Sequence, residues 1–305
     1  MMENRLLVVF FLMSFAVSAQ IKGVVVDEND MPIPYVNIWF ENGALVTTSE
    51  ENGTFGLEIK NQEKNLIFSA LGFETKIIDA TETEKVVLKQ VNIKLEEVEI
   101  KRNFLKQHKE IGYYESWGFR WHEDYFVNAI FFNITEEERK LYPFIKEIKF
   151  RTLSENKNAK IRIYLVAVNK DGSPSENTLS DELFIEVKKG NSKSRIDFST
   201  MKIAVPENGF FIVFEKLKIE QNKHYEEYAF KDKNGKITKG KGLYYQPEIA
   251  LVPIKEAVGW NKRVNDKWQK SAKNILQKPN SYENLLMKKY HKNYLVPAVN
   301  LTITN

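Results

Sequence analysis

The chain has 305 residues, with 45 Lys and Arg against 41 Asp and Glu, a net charge of +4. It contains no cysteine, which excludes disulfides, thiol catalysis, thiolate zinc sites and iron–sulfur ligation. The charge is uneven: residues 21–100 hold 7 basic and 15 acidic side chains, a net −8, whereas residues 101–305 hold 37 and 25, a net +12. That split, over a length that suggests two domains, places a boundary near residue 100.

Residues 1–19 read as a secretory signal peptide. Arg5 precedes an apolar run from Leu6 to Val17, and Val17-Ser18-Ala19 puts small residues at the −3 and −1 positions, so cleavage is expected before Gln20. The run is shorter than the roughly 20 residues that a spanning helix needs; an uncleaved anchor is the alternative. With no Cys to lipidate and no second long apolar segment, the mature chain is expected in the periplasm or at the outer membrane or cell surface. It would be exported, not a lipoprotein, and without a transmembrane segment. Nucleic acid is not an expected partner.

Short runs of β-forming residues with turn signals between them then indicate an all-β sandwich. Lys22–Asp27 is the first expected strand. Pro32-Ile33-Pro34 is a stiff lead-in, because each Pro fixes its own φ and biases the residue before it towards β. Tyr35–Phe40 alternates as a second strand. Asn52-Gly53 centres a tight turn of the hairpin kind. Leu66–Phe73 is a strand ending at a Gly, and Val86–Leu88 with Val91–Leu95 closes the set.

These residues carry a resemblance. Ile21-Lys22-Gly23-Val24-Val25 with Asp27, followed by Pro32-Ile33-Pro34 and Val36-Asn37-Ile38, resembles the opening of the carboxypeptidase-regulatory-like domain family. Thr47-Thr48-Ser49 leading into Asn52-Gly53-Thr54-Phe55 is similar to its middle signature, and Phe68–Glu74 to its later Gly-aromatic element. Leu95–Ile100 resembles the segment that ends the module in exported Bacteroidetes proteins. The resemblance covers residues 20–100. It implies a transthyretin-like or Ig-like β-sandwich with structural Gly and Pro positions and no catalytic residues to carry over.

Residues 101–112 are polar and uneven and are expected to be a linker. From 113 to 305 the strands resume: Val127–Ile134, Phe144–Arg151, Lys160–Val168, Leu183–Val187, Ser194–Asp197, Met201–Val205, Gly209–Glu215 and Ala298–Ile303. Asp171-Gly172-Ser173-Pro174 breaks the series as a turn. Such spacing predicts a larger, jelly-roll-like β-sandwich. Two short helices are expected within it. One follows Thr135, where Thr135 and Glu138 form a capping box; the other lies near Tyr282–Tyr290. Lys231–Lys236, with Asn234-Gly235, reads as an exposed hairpin tip.

No catalytic residue, metal ligand or cofactor is assigned. His224-Tyr225-Glu226-Glu227 matches a His-x-x-Glu zinc element, with His291 downstream, but the zinc-peptidase body that such an element needs is α/β. A surface role is the better reading of that stretch. No Ser/His pairing sits in a strand–turn–helix context, and no Gly-rich phosphate loop is present. Carboxylate pairs for glycoside cleavage stay open, because Asp and Glu are plentiful.

The aromatic clusters are the candidate site. Tyr113, Tyr114, Trp117, Phe119 and Trp121 crowd one segment, and Trp260 and Trp268 flank a basic stretch containing Lys262. Aromatic faces stack on sugar rings and cations, so Tyr114, Trp117, Trp121, Trp260, Lys262 and Trp268 are the candidate ligand-binding residues. The competing reading is core packing, since sandwiches bury large aromatics. The expected function is a non-enzymatic envelope protein binding a glycan or other surface ligand through the second sandwich, with envelope polysaccharide or an outer-membrane protein as partner. An adaptor that docks a protein through the acidic first module is the alternative, and a hydrolase ranks third.

Overall fold

A computed structural model describes residues 20–41, 45–58, 65–91, 107–114, 119–120, 127–231, 235–262, 267–273 and 290–305. The chain divides into two compact units, 1–92 and 93–305. Both are built of strands; among the described residues the one α-helix spans six residues.

The first unit contains β1 (Gln20–Val26), β2 (Asn37–Phe40), β3 (Leu45–Thr48), β4 (Thr54–Glu58), β5 (Asn65–Ser69), β6 (Lys76–Asp79) and β7 (Lys85–Val87). They form one sheet ordered β4-β1-β7 and another ordered β3-β2-β5-β6. Alternation sends Val25, Ile38, Phe55, Leu66, Phe68 and Val86 into one shared core, where the Phe55 and Phe68 rings meet edge-on with centroids 5.5 Å apart. Gly23 is required by space. A Cβ there would lie 1.9 Å from the Thr83 carbonyl oxygen and 2.7 Å from the Phe55 ring.

Two expectations change here. The strand foreseen from Tyr35 begins at Asn37, because Tyr35 has φ +57° and turns the chain. The Asn52-Gly53 turn forms, with the Gly53 N–H donating to the Glu50 carbonyl at 2.9 Å, yet it closes no hairpin. β3 pairs with β2 and β4 with β1, so the turn carries the chain from one sheet to the other. The closing strand foreseen at Val91–Leu95 lies outside the described residues from 92 onward.

The second unit runs β8 (His108–Tyr113), β9 (Phe119–Arg120), β10 (Val127–Phe132), α1 (Glu136–Leu141), β11 (Phe144–Ser154), β12 (Ala159–Val168), β13 (Pro174–Thr178), β14 (Leu183–Val187), β15 (Gly190–Asp197) and β16 (Phe210–Lys216). It continues with β17 (Lys223–Lys231), β18 (Ile237–Tyr245), β19 (Glu248–Ile254), β20 (Gly259–Lys262), β21 (Gln269–Lys270), β22 (Tyr294–Pro297) and β23 (Val299–Thr304). One sheet is ordered β22-β19-β11-β23-β8, with β15 also on β11 and β9 on β19. The other is ordered β13-β12-β16-β10-β20-β21, with β14 also on β12.

Their inner faces share one core, in which Phe150 of β11 and Phe214 of β16 sit with ring centroids 5.4 Å apart. The result is a two-sheet sandwich with non-sequential strand order, the all-β architecture that the strand spacing predicts. β17 and β18 pair only with each other among the described residues.

The helix after Thr135 forms as expected. The Thr135 hydroxyl accepts from the Glu138 N–H at 3.3 Å, and the Glu138 carboxylate accepts from the Thr135 N–H at 3.0 Å. The linker expectation is corrected in its last part. Residues 108–112 are strand β8, hydrogen-bonded along β23 from Thr304↔His108 to Val299↔Tyr113; residues 101–106 lie outside the described residues. Met201–Val205 is a turn rather than a strand, with Lys202 at φ +50° and an isolated bridge from Ala204 to Phe144. Of the helix expected near Tyr282–Tyr290, residues 282–289 lie outside the described set, and Tyr290 stands in a turn.

Candidate functional site

Period-2 alternation gives the β12–β16–β10–β20 sheet a second, outward face. Phe210, Ile212 and Phe214 of β16 enter the inter-sheet core, whereas Phe211 and Val213 point the other way. There they pack with Val127 and Ala129 of β10, Val166 of β12 and Trp260 of β20 into a separate apolar cluster. An outer sheet face is ordinarily polar, so this sheet is buried on both sides.

Arg162 of β12, opposite Glu215 of β16, lies on the same outward row. It is 2% exposed and Glu215 4%. An Arg162 Nη1 donates to Glu215 Oε1 at 3.2 Å, its Nε lies 3.6 Å from Glu182 Oε2, and the Tyr164 hydroxyl donates to Glu215 Oε2 at 3.3 Å. The Arg162 guanidinium also lies 5.4 Å from the Phe184 ring centroid. Burial works against the Arg162 charge, but Glu182 and Glu215 outweigh it and raise its pKa. Burial pushes the Tyr164 hydroxyl well above its usual value. Burial also raises the Glu182 carboxyl; Arg162 opposes the shift and Glu215 adds to it. Two carboxylates converging on one guanidinium make a structural ion network, with the carboxylates occupied by the cation between them.

Three of the six candidate residues come together beside this face. Trp260 is 8% exposed and packs edge-on against Phe211, with centroids 6.2 Å apart. Lys270 of the neighbouring β21 sits 5.5 Å from its ring, and Lys262 sits 5.9 Å from the half-buried ring of Trp268. Trp260 is thus a packing residue, whereas Trp268 and Lys262 keep partial exposure. Tyr114 belongs elsewhere: it follows β8 in the other sheet, and its ring takes the Arg151 guanidinium of β11 at 5.1 Å. Trp117 and Trp121 lie outside the described residues.

The His-x-x-Glu match is dissolved by its backbone. His224 and Glu227 both lie on β17, and a spacing of three sends them to opposite faces of a strand. No group of three or more His, Asp or Glu side chains is placed to hold a metal among the described residues.

Another exposed aromatic surface lies on the two strands that lead to the expected Lys231–Lys236 hairpin tip, of which residues 232–234 lie outside the described set. β17 and β18 form a nine-pair antiparallel ribbon from Lys223↔Tyr245 to Lys231↔Ile237. Asn156 Nδ2 ties its base to the sandwich by donating to the Lys223 carbonyl at 2.7 Å. Along it Tyr225 is 54% exposed and Tyr228 47%, with Leu243 and Ile237 also exposed. Lys241 Nζ covers Tyr225 at 4.6 Å from its centroid. The signal that could have found the ribbon is the even spacing of His224, Glu226 and Tyr228, mirrored by Gly240, Gly242 and Tyr244.

The architecture defines the class: an all-β protein of two modules, the first a small two-sheet sandwich. Residues 21–103 match the model of the CarboxypepD_reg-like domain family, a non-catalytic family, so this part of the chain is similar to its domains. No curated protein matches the chain.

Proposed function

We propose that this is an exported, non-enzymatic protein of the cell envelope that binds a glycan through its second unit. The observation that carries the reading is the partly exposed aromatic–lysine pair beside the β20–β21 edge, where Lys262 stands 5.9 Å from the Trp268 ring. An indole face stacks on the C–H face of a sugar, and an ammonium beside it donates to hydroxyl or carboxylate oxygens. The leader-like residues 1–19 support export, and the first module, similar to a non-catalytic family, supports a binding rather than a chemical role.

The test is retention of the full chain on immobilised envelope polysaccharide, compared with Trp268→Ala and Lys262→Ala. Loss of retention in both variants, with unchanged circular dichroism, supports the reading. Retention equal to the parent removes this edge as the site, and no retention of the parent refutes glycan binding.

A further inference from the structure

A two-stranded ribbon is marginal by itself in water. At about 3.4 Å per residue, nine pairs extend roughly 30 Å without a third strand among the described residues. The register sorts its side chains onto two faces. β18 sends Ile237, Lys239, Lys241 and Leu243 to one face, where Leu243 stands opposite Tyr225, Lys241 opposite Glu227 and Lys239 opposite Ala229. Gly240, Gly242 and Tyr244 take the other face, across from Tyr228, Glu226 and His224.

Three of the ribbon's four exposed large apolar side chains share the first face: Ile237 at 64% exposure, Tyr225 at 54% and Leu243 at 43%. Exposed apolar side chains gathered on one element mark a contact surface. This surface is also cationic. Lys239 and Lys241 are both exposed, against the carboxylate of Glu227, and the Lys241 ammonium stands 4.6 Å from the Tyr225 ring centroid. At the base of the same face Lys223 is paired with Glu220.

The pattern decides the occupant. Ile237 and Leu243 stand about 20 Å apart along the strand, with both lysines between them. A protein partner would need an apolar centre, from which lysine is depleted. A second copy would set like charges against one another, in a half of the chain (residues 101–305) that holds 37 basic and 25 acidic side chains. An acidic polysaccharide would satisfy the ammonium groups and leave Ile237 and Leu243 in water. A lipid leaflet with anionic headgroups satisfies both, because it offers phosphates and acyl chains over any span of its surface. Long lysine stems carry their charge up to the phosphates while apolar neighbours sink below.

We propose that this face of the β17–β18 ribbon seats the protein on an anionic lipid leaflet, with Lys239 and Lys241 on the headgroup phosphates and Ile237, Leu243 and Tyr225 in the acyl boundary. The seat goes beyond the glycan reading, does not depend on it and needs no transmembrane segment.

The test is co-sedimentation with vesicles of phosphatidylethanolamine and phosphatidylglycerol in equal parts, against vesicles of phosphatidylcholine alone. It uses the chain from Gln20, which keeps every described residue and omits the apolar run Leu6–Val17. The parent is expected to bind the anionic vesicles, to leave them as salt is raised, and to stay off phosphatidylcholine. Lys239→Gln and Lys241→Gln each weaken binding about 5-fold, the equivalent of about 1 kcal/mol per lysine at an anionic surface, whereas Lys239→Arg keeps it. Ile237→Ala weakens it by about 4-fold for each lost carbon that had left water. Lys193→Gln removes an exposed lysine from β15 instead and binds as the parent, as does Thr238→Ala on the ribbon's other face. All these positions are exposed, so circular dichroism and melting stay unchanged.

Equal binding to anionic and phosphatidylcholine vesicles overturns the seat. So does a loss in Lys193→Gln as large as in Lys239→Gln, or full binding by Ile237→Ala. If the parent ignores both vesicles and binds polygalacturonate through Lys239, the face takes an acidic glycan and the lipid seat falls.

Discussion

Replacing Arg162 with Met tests how the outward face of the second unit is held. Arg162 and Glu215 are almost fully buried, and Glu182 keeps a side-chain exposure of 17%. Removing the cation leaves two carboxylates near one another without their counter-charge. Breaking a buried pair in this way costs about 3–5 kcal/mol, a large part of the roughly 5–15 kcal/mol that a domain has. For a unit of this size about 1 kcal/mol moves Tm by about 2–4 °C. Arg162→Met should therefore lower the melting transition of the second unit by about 6–20 °C at pH 7, measured by calorimetry on the full chain.

The pH dependence has a definite sign. Burial raises the Glu182 carboxyl above its ordinary 4.5, and loss of Arg162, which opposes that shift, raises it further. A group with a raised folded pKa takes up its proton more readily in the folded state, so its contribution is full below the unfolded value and lost as pH rises through the folded one. The deficit of Arg162→Met relative to the parent is thus greatest near neutrality and shrinks on acidification. The triple variant Arg162→Met, Glu182→Gln, Glu215→Gln should recover most of the loss. A Tm drop below about 2 °C for Arg162→Met at pH 7, equivalent to under about 1 kcal/mol, or no recovery in the triple variant, would refute the account.

Gly23→Ala forces a Cβ against the Thr83 carbonyl; overpacking of this kind costs about 1–3 kcal/mol, and calorimetry should show only the first unit's transition falling. Thr135→Ala removes the capping box of α1 and should cost about 1 kcal/mol in urea unfolding of the second unit. Burial lowers Lys218 to about 8 from 10.5, so an NMR titration of its Cε should have its midpoint near 8. Because the unfolded chain then binds more protons, the parent should gain stability relative to Lys218→Met as pH rises between 8 and 10.5. A flat difference over that window would refute the assignment.

What was legible in the sequence was local. The Thr135–Glu138 box closes within one helical turn, Asp171 caps its own turn by accepting from the Ser173 N–H at 3.0 Å, and the Ile161, Ile163 and Leu165 alternation names the inner face of β12. The ordered Gly, Pro and aromatic elements of residues 21–100 identified the first module, because each is fixed by neighbours a few positions away. The aromatic candidates were only partly legible: composition found Trp260, Lys262 and Trp268 but could not say that Trp260 is covered.

The tertiary structure alone decided the rest. Asn52-Gly53 has the same local chemistry whether its strands pair with each other or, as here, with β2 and β1. The polar stretch before Tyr113 becomes strand β8 only because the far end of the chain, β23, lies beside it. His224 and Glu227 part because the segment is a strand, and the Tyr228 ring packs close against Gly240 because that glycine is its cross-strand partner. Arg162 can be buried because Glu215, 53 positions on, lies directly across the sheet. Such choices depend on which strands pair and which face is covered. Both are set by burying apolar area and matching charges between residues far apart in the chain, a balance that no single segment contains.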